Sequence, residues 1–189
     1  MRPFVPPATP ADLFAYLDRL GVLSETAEHA PVFTVAESRA IKASIPGGHS
    51  KNLFLKDRKG RLYLVVARDE TRIDLKRLHE TIGASGRLSF GSDDLLRAAL
   101  GVEPGSVTPF AAINDRDGRV SVVLDASLMA FKRVNFHPLV NSMTTTIARE
   151  DLIRFLQATG HEPRVMALPE PTETRLTGTG WSTDGAASP

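Results

Sequence analysis

Three short stretches carry residue types able to do chemistry. The first is Gly47-Gly48-His49-Ser50-Lys51-Asn52-Leu53-Phe54-Leu55, which sets a lysine where an alternating strand begins, directly after two glycines whose backbone bends freely. An ammonium at a strand mouth beside such a loop suits an anionic ligand, although an ordinary solvated lysine fits the same residues. The second is Gly105-Ser106-Val107-Thr108-Pro109, a glycine-to-proline loop. Such a loop fixes backbone amides and carbonyls at a strand mouth, where they can orient a ligand or stabilise an oxyanion. Read alone, it is equally a plain helix-to-strand connector. The third is Asn135-Phe136-His137-Pro138-Leu139-Val140-Asn141-Ser142. His137 ends a strand there and is held by the following proline, where an imidazole can donate a hydrogen bond or relay a proton. A satisfied structural histidine is the competing reading.

Other catalytic signatures are missing. With no cysteine, thiolate nucleophiles, disulfides and cysteine-ligated zinc are excluded. Gly86-Arg87-Leu88-Ser89-Phe90-Gly91 has the wrong spacing for a GxSxG elbow, and His79-Glu80 lacks the second histidine of HExxH. His29, His49, His79, His137 and His161 show no metal-ligand spacing, so no metal is expected. Gly178-Thr179-Gly180 follows no strand and cannot be a dinucleotide loop, and GxxxxGK[ST] is absent.

These residues need elements to position them, and the chain supplies a mixture. At 189 residues, 42% hydrophobic and 24% charged, it is long enough for one domain with a substantial core. Thr9-Pro10-Ala11-Asp12 opens a helix that carries Leu13, Phe14, Leu17 and Leu20 on one face and stops at Gly21. Thr34-Val35-Ala36-Glu37 is a capping box for a second helix. A strand from Leu53 turns at Lys56-Asp57-Arg58-Lys59-Gly60 into another, Arg61 to Ala67. Short helices are expected from Asp74 to Ile82 and from Ser92 to Leu100. Asp115-Arg116-Asp117-Gly118 reads as a hairpin turn between strands Phe110–Asn114 and Arg119–Leu124. Strands Val134–His137 and Ser142–Ile147, a helix Glu150–Thr159 and a strand Arg164–Leu168 complete the pattern, and residues 169–189 read as a mobile tail. The result is a mixed α/β (α+β) domain over residues 1–168. No apolar run approaches the ~20 residues of a membrane span, and the N-terminus is too short in apolar length for a signal peptide. A cytoplasmic protein is therefore expected. A net charge of +1 gives no global attraction to nucleic acid, so any such contact needs a local basic patch.

Taken in order, Lys51, the Gly105-xxx-Pro109 loop and His137 resemble the YbaK/prolyl-tRNA editing family of aminoacyl-tRNA deacylases, most closely its free-standing ProXp-ala (PrdX) type. The same pattern includes Leu17-Asp18-Arg19-Leu20-Gly21, His29-Ala30-Pro31-Val32-Phe33-Thr34-Val35, Ser50-Lys51-Asn52-Leu53-Phe54-Leu55, Asp74-Leu75-Lys76-Arg77-Leu78 and Asn135-Phe136-His137-Pro138 with Asn141, across roughly residues 9 to 168. The resemblance implies a single domain with a mixed, mainly antiparallel curved sheet flanked by helices. It implies a hydrolase that clears mischarged proline tRNA, above all alanyl-tRNA, and uses no cofactor. A pocket shaped for proline rejects a smaller amino acid by only ~1–3 kcal/mol, so a second, smaller site must complete the selection.

The resemblance further implies that Lys51 is essential, holding the terminal phosphate or the ester end. Gly105 would orient the aminoacyl group and the attacking water, with help from the free 2′-hydroxyl of the terminal adenosine. His137 would position substrate or water, and Asn52, Ser50, Ser106, Thr108, Pro109 and Asn141 would line the substrate. The partners implied are tRNA and, beyond it, prolyl-tRNA synthetase, with no membrane. Lys56, Arg58, Lys59 and Arg61, with Arg68, Arg72, Lys76 and Arg77 behind them, are candidate tRNA-facing cations; a solvated charged face is the plain alternative. A deacylase for cysteinyl-tRNA or another aminoacyl-tRNA, and a non-catalytic RNA- or protein-binding module, are the rival readings.

Overall fold

The computed structural model describes residues 6–31 and 41–171. Helix α1 (Pro10–Arg19) begins as the sequence predicts: Thr9 Oγ1 accepts from the Asp12 amide, and Asp12 returns a bond to the Thr9 amide. The capping box at Thr34–Glu37 lies outside the described residues, although residues 41–44 are helical. Strands β1 (Ser24–Glu28), β2 (Gly48–Lys56) and β3 (Leu62–Arg68) follow, then α2 (Leu78–Ile82), β4 (Ser89–Phe90) and α3 (Asp93–Leu100). A 3-10 helix (Pro109–Asn114) leads into β5 (Val120–Asp125), β6 (Arg133–Phe136), β7 (Met143–Ala148), α4 (Arg149–Ala158) and β8 (Arg164–Met166).

The sheet order is β1-β7-β6-β2-β3-β5-β8, with β4 on the free stretch of β2. Pairings β1–β7, β6–β7, β2–β3 and β2–β4 are antiparallel, and β2–β6, β3–β5 and β5–β8 are parallel. The mixed sheet flanked by helices is thus as expected. Strand β3 explains the layering: Leu62 through Ala67 are all buried because both faces of the sheet are covered. Its Leu62, Leu64 and Val66 face α1, α3, α4 and the 3-10 helix, whereas Tyr63, Val65 and Ala67 face Leu78 and Ile82 of α2 and Leu168. On the larger side Phe110 meets Phe136 and Phe155 edge-on, with ring centroids 5.7 and 5.4 Å apart.

Four local expectations are corrected. Phe110–Asn114 is a 3-10 helix and not a hairpin strand, because Pro109 occupies its first turn and Thr108 Oγ1 accepts from the Phe110 amide. Strand β5 consequently pairs in parallel with β3 and β8. The helix expected from Asp74 begins only at Leu78. Strand β2 begins at Gly48, so Lys51 lies within it, opposite Ala67, and not at its mouth. Finally, Gly47 and Gly48 serve close approach more than free bending. A Cβ at Gly47 would lie 2.8 Å from the Arg133 carbonyl, and one at Gly48 would lie 2.8 Å from the Phe131 ring. These contacts let β2 run alongside β6 through Gly48–Val134 and His49–Asn135. At the other end, the Pro169 carbonyl accepts from the Asp74 amide at 2.7 Å. The expected tail beyond residue 171 lies outside the described residues.

Candidate active site

The β2–β6 junction opens a cavity of about 180 Å³. Drug-sized ligand pockets run to about 300–1,000 Å³, so this space suits a small group and not a large one. Its walls come from separate elements that the sheet brings to one place. Strand β2 supplies His49, Ser50 and Asn52; β6 and the residue after it supply Asn135, Phe136 and His137; β7 supplies Thr144. Asn141 arrives on the turn between β6 and β7, Gly105 on the connection after α3, His29 at the end of β1, and Ile41 and Lys42 from the short helical stretch.

Local backbone explains these placements. Leu139 is the one non-glycine residue at positive φ among the described residues, at 70°. An L-residue there costs roughly 1–2 kcal/mol, and burial of the Leu139 side chain in the core offsets this. The resulting tight turn carries Asn141 to the cavity. Gly105 has φ +87° in open space, its nearest would-be Cβ neighbour being Asn141 Nδ2 at 3.8 Å. Glycine is needed there for conformation and not for room. Asn52 Nδ2 donates to the Val107 carbonyl at 2.9 Å, tying the Gly105–Pro109 loop to β2 and fixing which way the amide points.

His137 has a defined protonation pattern. Its Nδ1 lies 3.0 Å from the Met143 carbonyl, an acceptor, so Nδ1 carries the proton and donates. Nε2 is then left with a lone pair. Burial is the largest influence on the ring and disfavours its charged form. The Met143 bond acts the other way, and His29 and Lys42 push again toward the neutral form, so the pKa falls below that of an ordinary histidine. Across the cavity His29 Nε2 and Thr144 Oγ1 are hydrogen-bonded at 2.9 Å, and the two imidazole centroids are 6.5 Å apart. Lys42 Nζ pairs with Asp69 Oδ2 at 2.8 Å. A neutral imidazole with a free lone pair, facing amides and an ammonium, can hold and deprotonate a water molecule. Among the described residues no cluster of three or more His, Asp or Glu side chains forms a metal site.

A model of the aminoacyl-tRNA editing domain matches residues 29–155, a span that contains every lining residue of the cavity. The chain belongs to this editing-domain family. It is 40% identical over 157 residues to the prolyl-tRNA editing protein ProX of Acetoanaerobium sticklandii, covering 82% of this chain and 95% of that protein. It is 37% identical over 160 residues to the mouse (Mus musculus) prolyl-tRNA synthetase associated domain-containing protein 1, covering 82% and 94%. A crystal structure provisionally described as a trans-editing enzyme for prolyl tRNA synthetase superposes with a TM-score of 0.65 at 20% identity. It covers 87% of this chain and 99% of that one, a likeness of fold.

Within this editing domain the cavity unites His137, Gly105, Ser50, Asn52 and Asn141. It does not unite the rest of the expected set. Lys51 projects from the other face of β2, with Leu53 and Leu55, and its ammonium donates to the Thr71 carbonyl. Ser106, Thr108 and Pro109 are buried away from the cavity, and Thr108 and Pro109 shape the start of the 3-10 helix. The expected basic face is partly committed. Arg61 pairs with buried Asp57 at 2.8 Å, and Arg68 pairs with Glu70 while stacking 5.3 Å over Phe131. Lys56, Arg58, Lys59, Arg72, Lys76 and Arg77 are exposed. Sequence reasoning missed His29, Ile41, Lys42, His49, Asn135, Phe136 and Thr144 as cavity residues. His29 lay within the quoted family pattern, and Asn135 stood beside His137. Lys42, Ile41 and Thr144 offered no such signal.

Proposed function

We propose that this editing domain is a free-standing trans-editing deacylase that hydrolyses mischarged proline tRNA, with alanyl-tRNA as its principal substrate. The observation that carries the reading is a cavity of about 180 Å³ presenting a neutral His137 beside Asn52 and Gly105. In this reading the alanyl group enters the space and the ring of proline is held out of it. Water held at His137 Nε2 attacks the ester carbonyl. The bond between that carbonyl and the ribose oxygen breaks, and the proton taken by Nε2 passes to the departing ribose hydroxyl. The free 2′-hydroxyl of the terminal adenosine assists, and the Gly105 backbone orients the aminoacyl group. Family membership and the names of the relatives support tRNA as partner, and the name of the mouse relative supports prolyl-tRNA synthetase as a proposed second one. Among the described residues no helix is long and apolar enough to cross a membrane, and a cytoplasmic site of action belongs to the same proposal.

The test is deacylation of a panel of proline tRNA charged with alanine, cysteine or proline. Turnover of the alanyl form supports the proposal. Preference for the cysteinyl form would reassign the substrate, and no turnover on any form would leave a binding module.

A further inference from the structure

The polar side chains of the cavity differ in how far the protein itself satisfies them. Asn52 is tied to the Val107 carbonyl, His137 to that of Met143, and Lys42 to Asp69. His29 and Thr144 are bonded to each other. The His49 imidazole lies 2.8 Å from the Ile45 carbonyl, and Ser50 Oγ donates to the Asn135 carbonyl at 3.1 Å. Asn135 is held at both ends of its amide, by Thr146 Oγ1 at 2.6 Å and by the Pro46 carbonyl at 3.2 Å. Asn141 is the exception. It lines the cavity, half-buried, and its side chain has no hydrogen-bond partner among the described residues. Two positions before it stands Leu139, whose φ of 70° is a backbone outlier of the kind that clusters at active sites. On its other side is Gly105, where a would-be Cβ finds Asn141 Nδ2 as its nearest neighbour at 3.8 Å.

We propose that the Asn141 side-chain amide is a catalytic donor to the oxyanion formed when the ester is attacked. The proposal deepens the deacylase reading above and rests on it. Attack of water forms a carbon–oxygen bond and moves the carbonyl π pair onto the carbonyl oxygen, which becomes an alkoxide. An amide N–H set beside that oxygen binds it more strongly as its charge grows. Because the Asn141 amide is unpaired in the free protein, no internal bond has to break before it acts. The other donor side chains on the walls are already held by protein acceptors. Collapse of the alkoxide restores the carbonyl and expels the ribose oxygen, which takes the proton held at His137 Nε2.

The experiment is single-turnover deacylation of alanyl-tRNA specific for proline over a range of enzyme concentrations, by wild type, Asn141→Ala and Asn141→Asp, with a melting curve for each. Removing one oxyanion donor costs about 10²–10³-fold in rate. Both variants should show that loss at saturating enzyme. The concentration giving half-maximal rate should stay at the wild-type value, because the interaction is made in the transition state and not with the uncharged carbonyl. Ionised aspartate keeps the shape of the side chain and offers no N–H, so it carries the test if the alanine variant melts early. A wild-type rate in either variant overturns the inference. So does a half-saturating concentration that rises in Asn141→Ala and falls in Asn141→Asp, which would make Asn141 an acceptor for the α-ammonium of the substrate. Wild-type turnover with an unaffected variant overturns the inference alone; no wild-type turnover overturns the deacylase reading and the inference with it.

Discussion

Replacing His137 with glutamine separates its chemistry from its place in the fold. A glutamine amide can still donate to the Met143 carbonyl, which His137 Nδ1 contacts at 3.0 Å, but it offers no basic nitrogen at the cavity. General-base contributions run to about 10²–10⁴-fold, or roughly 2.7–5.4 kcal/mol of barrier. We expect kcat on alanyl-tRNA to fall within that range while KM changes little. The wild-type pH profile carries a second signature. The neutral ring is the active form, so activity is lost as pH falls through the His137 pKa. Burial, together with the charges of His29 and Lys42, sets that pKa below the ordinary value of about 6.5. The acid limb should therefore have its midpoint below pH 6.5, and His137→Gln should abolish the limb. The linked stability has the same sign: it is complete above about pH 6.5 and declines as pH falls toward the folded-state value. Single-turnover deacylation between pH 4.5 and 8, with a melting curve at each pH, reads both. A midpoint at or above 6.5, or a glutamine variant within twofold of wild type, would refute the reasoning.

Other outcomes follow from the same geometry. Gly105→Ala has room for its methyl group but forces an L-residue to φ +87°; it should lose roughly 1–2 kcal/mol in denaturant unfolding and reduce kcat by displacing the loop beside Asn141. Phe110→Ala empties a fully buried site between Phe136 and Phe155. A loss of about 3–5 kcal/mol should lower Tm by roughly 6–20 °C in calorimetry. Asp57 and Asp115 are both held below the usual carboxylate range. Burial acts against this, but amides of Ser85, Arg61 and Lys59 outweigh it at Asp57, as do His161 and the Val120 amide at Asp115. Their contribution to stability is complete above about pH 4 and is lost as acid protonates them. Denaturant midpoints at pH 5 and pH 3 should differ less in Asp57→Asn than in wild type.

Local rules made much of this fold legible. Thr9 with Asp12 and Ser92 with its following acids marked helix starts, and the apolar run of β3 marked a central strand. What escaped was decided by tertiary context. Strand β1, Ser-Glu-Thr-Ala-Glu, has only Ala27 as an apolar residue to signal it. It exists because its backbone pairs with β7 and Thr26 bonds Thr145 across the pair, and it delivers His29 to the cavity. Phe110 to Asn114 read as a strand from its apolar residues, yet Pro109 and the Thr108 cap wound it into a 3-10 helix whose phenylalanine fills the core. In the site, His137 and Gly105 stood out as residues at element ends, and Asn52, Ser50 and Asn141 came from the family resemblance. Lys51 stands within β2, and its ammonium donates to the Thr71 carbonyl. From a start at Gly48, β2 brings His49, Ser50 and Asn52 to the cavity. Lys42 was invisible as a cavity residue because its partner Asp69 is distant in sequence and adjacent only after folding.

On the proposed function, a small cavity with a neutral histidine removes alanine from proline tRNA and spares proline. Side-by-side deacylation of alanyl- and prolyl-tRNA by the purified wild-type protein tests it most directly. Hydrolysis of the alanyl ester well above the spontaneous rate is expected, with the prolyl ester decaying as it does in buffer alone. Equal hydrolysis of the two, or none of the alanyl ester, would contradict it.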